Sequence, residues 1–314
     1  MPWKSKARAH VDPAATMIET RRIIGTGHYK VDGTTVKLDK RRLGSAPGQS
    51  MKFHLDELGL VEGGPFTSPC RLRLAQCDCL EAAEFLSEGG GNVPMVLDFA
   101  SGSNPGGGLK GHQQGTQEEE MCRRSSLLPS LEHHEYPLPE GGIYAPQICV
   151  FRGPAQQGYP LLKTPFWVTV LASEMPNCGD MGNKEKALAR RKIQGVLQMA
   201  LRHGHSSLVL GAWGCGAFGN DPVVMATLFK EELSKVSGLE VVFAILGRNA
   251  EVFSQVLELD PLPDLLAPAG AAGAGASFGS AVGDLSAQKR DGELEGHIPS
   301  PPCASDNFSS VVIR

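Results

Sequence analysis

The residues best suited to chemistry cluster in "SGSNPGGGLKGHQQGTQEEEMCRRSS", positions 101–126. Gly106, Gly107 and Gly108 run together, and Glu118, Glu119 and Glu120 follow shortly after. Glycines in such a run let backbone N–H groups approach a ligand with no Cβ in the way. Neighbouring helical residues lie about 100° apart, so three adjacent glutamates point three ways and at most two can face the loop. On the residues alone two readings stay open. Gln117 and Glu118 at a helix start are favoured by the helix dipole, which makes a capped, solvated helix end. In the sharper reading one glutamate is a general acid or base aimed at a ligand held by Gly106–Gly108. Repulsion from its neighbour would then raise its pKa.

A second glycine-rich loop is "GAWGCGAFGNDP", positions 211–222. It contains GxGxxG at Gly214, Gly216 and Gly219, with Glu240 roughly twenty residues further on, as a nicotinamide-dinucleotide fingerprint requires. The fit is poor. Glu240 falls at the start of an apolar run, whereas a ribose-binding acid belongs at a strand end. Asp221-Pro222 starts a helix after Gly219, whereas the fingerprint's later glycines belong to the helix's opening turn. No Gly-Lys-Ser/Thr follows either loop, so neither is a Walker loop.

Both loops need strands and helices to hold them. "VPMVLDFA" (93–100), "PFWVTVLA" (165–172), "SSLVLGAW" (206–213) and "LEVVFAIL" (239–246) are nearly continuous apolar runs, the pattern of strands buried on both faces. Between them, 184–203 and 222–236 carry apolar residues at helical spacing. Asn183 is the expected N-cap of the first, with Gly204 past its end; Asp221 caps the second, with Pro222 its first residue. Buried strands alternating with amphipathic helices predict a three-layer α/β/α domain. Each glycine-rich loop follows a strand and leads to a helix start, the place where open α/β sheets bind anions; two facing loops could clasp a diphosphate.

Residues 1–90 read as an extension packed on that core. It has a helix from Asp12-Pro13 to Gly25 or Gly27, a hairpin around Asp32-Gly33, and a helix in "DCLEAAEFLSEGGG". Residues 91–260 form the domain proper. Residues 261–314, rich in Ala, Gly, Pro and Ser, read as a disordered tail whose "FSSVVIR" end is apolar enough for a short docking segment. The net charge of −4 gives no basic field for nucleic acid, so no direct DNA binding is expected. With no signal-like segment and no run of about 18 apolar residues, the chain reads as soluble and intracellular, in cytoplasm or nucleus. The eight cysteines lack paired CxxC spacing; the lone CxC at Cys77 and Cys79 is weak evidence for metal, and reduced thiols are expected, with no metal and no cofactor.

"NPGGG", eight residues, then "QEE" resembles the GGG-x(6–8)-QEE signature of poly(ADP-ribose) glycohydrolases, in their microbial-type branch. "EEEMCRRSSLLPSL", "GGIYAPQICVFR", "VTVLASEMPN" and "LVLGAWGCGAFGNDP" resemble segments of that branch in the same order, and "TMIETRRIIGTGHY" its N-terminal helical extension. The resemblance covers roughly 8–258 and implies a macrodomain-like fold that binds ADP-ribose. It makes the second glutamate of QEE, Glu119, the acid that protonates the leaving oxygen of a ribose–ribose bond and then serves as base toward water. Glu118 would hold the terminal ribose and orient its neighbour, with Gln117 beside it; Glu120 would point elsewhere. Cys122 supports this register. Gly106–Gly108 would lie against the scissile ribose and diphosphate, and Asn104 would bond a ribose hydroxyl. Gly214, Cys215, Gly216, Ala217 and Phe218 would form the second diphosphate loop, with Phe218 packing on the ribose. Implied partners are poly(ADP-ribose) or ADP-ribosylated proteins. The negative net charge favours one terminal unit in a cleft over a grip along a polyanion. Where the family often has Asn, this chain has Asp98, expected to be buried and structural. A non-catalytic ADP-ribose reader, which need not keep the Glu118–Glu119 pair, and a hydrolase of protein-linked mono-ADP-ribose are the alternatives.

Overall fold

The computed structural model describes residues 12–59, 68–88, 92–110, 115–138, 140–177, 179 and 181–262. The chain opens with α1 (Pro13–Thr26), a hairpin of β1 (His28–Val31) and β2 (Thr34–Lys37), and α2 (Lys40–Gln49). Next come β3 (Met51–His54), β4 (Arg71–Ala75), α3 (Cys79–Glu88) and β5 (Met95–Phe99). After the glycine-rich loop, α4 (Gln117–Arg124) and α5 (Leu127–Glu132) lead into the long strands β6 (Gly141–Arg152) and β7 (Leu161–Ser173). The rest is α6 (Asn183–Arg202), β8 (Ser207–Leu210), α7 (Pro222–Leu233), β9 (Glu240–Ala244), α8 (Asn249–Leu257) and β10 (Asp260–Pro261).

Local chemistry sets these boundaries. Asp12 caps α1 by accepting from the Ala14 N–H, and Gly27, at φ 69°, ends it in the left-handed conformation a Cβ disfavours. Asp221 caps α7 by accepting from Val223 and Val224. The residue capping α6 is Gly182, and Asn183 is already inside the helix. The asparagine expected as the cap is therefore one residue too late: the glycine takes the extended cap conformation without a side-chain bond.

Among the described residues eight strands form one sheet in the order β10-β4-β9-β8-β5-β7-β6-β3. From β10 to β7 neighbours are parallel; β6 pairs antiparallel with β7 and with β3. Thus β5 lies between β8 and β7, and the loops that leave these three strands emerge side by side. Side chains alternate along β5. Met95 and Leu97 enter a core with α6, α7 and α8, while Val96 enters a second core with α3, α4 and α5. Two helical layers thus cover the sheet. The sheet runs through the boundary expected at residue 90, since β3, β4 and α3 all precede it. It also runs past 260: Asp260–Pro261 pair with β4, and buried Leu262 donates its N–H to Leu74 O at 2.8 Å. The rest of the expected tail, 263–314 with its "FSSVVIR" end, lies outside the described residues. Among the described residues no helix is long and apolar enough to cross a membrane.

The N-terminal helix reaches the loop-bearing end of the molecule through α4. Ile23, Tyr29, Leu38 and Leu43 pack with Cys149 and Phe151 of β6 in a third small core. From there Thr20 Oγ1 donates to Arg123 O at 2.6 Å and accepts from Arg152 Nε at 3.0 Å, while Arg152 pairs with Glu19 at 2.6 Å. Thr20 is fully buried, so both bonds lack competition from water. Thr20→Val keeps the shape and removes both. Urea or thermal unfolding should show a loss of about 1–3 kcal/mol, the cost of leaving a buried carbonyl and guanidinium nitrogen unsatisfied.

Candidate active site

Gln117 begins the site by joining α4 to the sheet. Beyond Val96, β8 no longer pairs with β5, which leaves Leu97 O and Phe99 N without a strand partner on that side. The Gln117 amide supplies both bonds: its Nε2 donates to Leu97 O at 2.8 Å and its Oε1 accepts from Phe99 N at 2.7 Å. The helix start is thereby fixed to the strand end.

The two glutamates that follow are each about 1% exposed. Glu118 Oε2 accepts from Ser101 N at 2.8 Å and Oε1 from Gly106 N at 3.0 Å. Glu119 Oε1 accepts from Gly108 N at 2.7 Å; its Oε2 accepts from Gly115 N at 3.1 Å and Thr116 N at 3.0 Å, closing a capping box on its own helix. Glu120 turns away. It pairs with Arg123 at 2.9 Å and accepts from the Tyr159 hydroxyl, on the side of α4 that meets α1. Arg124 completes that side by pairing with Asp78 at 2.8 Å.

This geometry changes the role expected of the first glycine loop. The N–H groups of Gly106 and Gly108 are taken by Glu118 and Glu119, and that of Gly107 by Asn104 O at 3.1 Å. These glycines hold the carboxylates and present no free donors to a diphosphate. Gly107 cannot be replaced without cost: at φ +57° an added Cβ would lie 2.9 Å from Glu118 Oε2 and 3.3 Å from Glu119 Oε1. The second loop is different. Its internal turns use the N–H groups of Trp213, Cys215, Gly219 and Asn220. Among the described residues, those of Gly214, Gly216, Ala217 and Phe218 meet no protein acceptor. Such a row of unused backbone donors is an anion cradle.

Both loops and both glutamates line one cleft of about 830 Å³, large enough for a nucleotide-sized ligand. Asn104, Gly107, Gly108, Gln117, Glu118, Glu119, Gly214, Gly216, Ala217 and Phe218 all reach its wall. Gly106 and Cys215 do not. Gly106 lies behind the loop against Leu109 and Leu128, and the Cys215 sulfur packs on the core, its thiol pushed up to about 12 by burial. Sequence reasoning missed Glu174 and Asn177, in the turn after β7, and Trp213 and Leu246, which also line the cleft. No charge pattern marked Glu174; only the adjacency of β7 to β5 brings it in. Among the described residues no cluster of His, Cys, Asp and Glu suits a metal, and Glu240 pairs with Arg73 at 3.3 Å at the strand's opposite end.

Burial raises the Glu118 carboxyl to about 7, opposed by the Ser101 and Gly106 N–H bonds and reinforced by the charges of Glu119 and Glu174. Asp98 shares the face of β5 that meets α4. It is fully buried, and neither of its carboxylate oxygens has a hydrogen-bond partner. Burial first, and then the charge of Glu118, holds it well above the usual carboxylate range, so Asp98 is a neutral acid. It does not line the cleft, so it presents no charge to a diphosphate.

Residues 18–153 match the family described as microbial-type PARG, catalytic domain. No curated protein sequence matches the chain. Among solved structures, a variant of poly(ADP-ribose) glycohydrolase from Thermomonospora curvata is 30% identical. The similarity covers 78% of this chain and 98% of that one, with a TM-score of 0.67. The same enzyme bound to the inhibitor ADP-HPD is 29% identical over 77% of this chain and 98% of that one, with a TM-score of 0.67. The Deinococcus radiodurans enzyme in complex with ADP-ribose is 26% identical over 73% and 99%, with a TM-score of 0.57.

Two outcomes follow from this geometry. Gly107→Ala forces the loop off the glutamates and should lower turnover at least tenfold in a steady-state assay, while circular dichroism stays native. Asp98→Asn tests the neutral acid. The folded state keeps a proton that the unfolded chain releases above about pH 4, so wild-type stability falls as pH rises. The melting temperature of the variant should therefore gain on wild type as pH rises above about 4.

Proposed function

The chain belongs to the microbial-type poly(ADP-ribose) glycohydrolases and is a glycosidase that cleaves ribose–ribose bonds to release ADP-ribose; from that premise we propose that Glu119 is its general acid and base and Glu118 its partner. The observation that carries the assignment is how the bonds of the two carboxylates are distributed. Glu118 spans both ends of the turn from Ser101 to Gly106, so moving it would dismantle the loop. Glu119 Oε2 is held by Gly115 and Thr116, exposed residues whose N–H groups water can take over. Glu119 can therefore exchange a partner for a substrate oxygen while Glu118 keeps the loop in place.

In this reading the diphosphate lies on the unused N–H groups of Gly214 and Gly216–Phe218, Phe218 packs on the ribose, and Asn104 bonds a ribose hydroxyl. The bond between riboses breaks through an oxocarbenium-like transition state. Glu119 gives its proton to the leaving oxygen, then withdraws one from the water that attacks the anomeric carbon. Glu118, titrating near neutrality, bonds the ribose and keeps a proton available to the pair. The diphosphate of the substrate offsets the positive charge on the sugar, which lets one acid serve where most glycosidases use two. The cleft is lined by three carboxylates and, among the described residues, by no Lys or Arg, so binding depends on backbone donors and not on cation pairing.

Glu119→Gln should cut the release of ADP-ribose from automodified substrate by about 10²–10⁴-fold and leave ADP-ribose binding by calorimetry within a few-fold of wild type. Near-normal turnover in the variant would remove Glu119 from the role. Intact polymer with tight binding by the wild type would mark a reader, and loss of only the protein-linked unit a mono-ADP-ribose hydrolase.

A further inference from the structure

The second glycine-rich loop owes its unused donors to the way it closes. The N–H groups of Cys215, Gly219 and Asn220 donate to Ala212 O, Gly216 O and Gly214 O at 3.0 Å each. These turns take up the loop's own carbonyls and leave the N–H groups of Gly214, Gly216, Ala217 and Phe218 for the cleft. Aligned N–H dipoles repel one another, so an empty cradle keeps its shape only where its ends are fixed.

Asn220 fixes one end. It directly precedes Asp221, the cap of α7, and is about 1% exposed. Its backbone N–H closes the loop on Gly214 O, and its side-chain Nδ2 donates to Pro176 O at 2.8 Å. The packing there is tight. At φ +78° a Cβ on Gly214 would lie 2.5 Å from Asn220 Nδ2 and 2.8 Å from Met175 Cγ. Pro176 belongs to the turn after β7, whose Glu174 and Asn177 line the cleft. Since β5 lies between β8 and β7, the Asn220 bond joins the loop that leaves β8 to the turn that leaves β7, across the end of β5. The same turn also meets the first loop: a Cβ on Gly102 would fall 1.8 Å from Glu174 Oε2. The turn is therefore wedged between the two loops, and Asn220 ties the second loop to it. Asn220 itself does not reach the wall of the cleft.

We propose that Asn220 is a positioning residue for the diphosphate: through Pro176 it holds the row of amides from Gly214 to Phe218 in register with the loop of the glutamates, so that the cradle is formed before substrate arrives. Donors ordered in advance cost nothing to order on binding. Without the anchor that cost falls on the binding step. It falls on ground state and transition state alike, so KM rises and kcat is kept.

The proposal rests on the reading that the diphosphate lies on this loop, and the experiment separates the two. In ¹⁵N-labelled wild type, ADP-ribose should shift the amide signals of Gly214, Gly216, Ala217 and Phe218. Asn220→Ala should bind ADP-ribose about tenfold more weakly by calorimetry. On automodified substrate it should raise KM about tenfold and keep kcat within about threefold of wild type. A merely structural role would lower the melting temperature and leave affinity and KM where they are. That result, with the wild-type signals shifting as described, overturns the role of Asn220 and leaves the diphosphate reading standing. A loss confined to kcat overturns it as well. Wild-type amides that stay put on addition of ADP-ribose overturn the diphosphate reading and the proposal with it. Should Asn220→Ala not fold, Asn220→Ser, which stays polar but is too short to reach Pro176 O, decides by the same measurements.

Discussion

Everything at this site depends on backbone amides bonded to buried carboxylates. Five such bonds join Glu118 and Glu119 to Ser101, Gly106, Gly108, Gly115 and Thr116. Two ionisable side chains at about 1% exposure would be prohibitive without donors. These particular N–H groups have no other acceptor among the described residues. Loop and helix therefore specify each other: glycines are needed because the carboxylates approach the backbone closely, and the carboxylates can be buried because the glycines expose it.

The same division of labour explains how a cleft with acidic walls accepts an anion. The first loop spends its donors on the glutamates, and the second keeps its own free. An oxocarbenium-like centre wants negative charge near the sugar, while a diphosphate wants positive dipoles further along. The two glycine-rich loops, alike in composition, thus have opposite electrostatic tasks. The α4 face that meets α1 carries no chemistry but fixes the angle of the helix: Glu120, Arg123 and Arg124 are tied to Tyr159, Thr20 and Asp78.

Much of this was legible in the sequence because it rests on local signals. The four buried strands read correctly from continuous apolar runs; Asp12, Asp221 and Gly27 marked helix ends; and the resemblance to the QEE signature, with the register of Cys122, set Glu120 apart from its neighbours. Less legible was whatever depends on neighbours distant in sequence. Short or amphipathic elements such as β3, β4 and β10 carry too few residues to declare a period, and they become strands only because the sheet offers them an edge. Gly106 was expected at the ligand because composition cannot tell an N–H that faces a cleft from one that faces a carboxylate. Glu174 lies far along the chain from the signature and reaches the cleft only because β7 pairs with β5. Asp98 was read correctly as buried, but only the structure shows it lacking any partner.

The bond between the Gln117 amide and the end of β5 has a wider consequence. It measures the position of the glutamates from the sheet, and Glu119 ties Gly108 back to the same helix. The stretch between Gly108 and Gln117 is thus anchored at both ends, and its length carries no information about where the carboxylates sit. Residues can be gained or lost there while the chemistry stays in register, which is the behaviour of a signature whose gap varies while the motifs on either side of it do not.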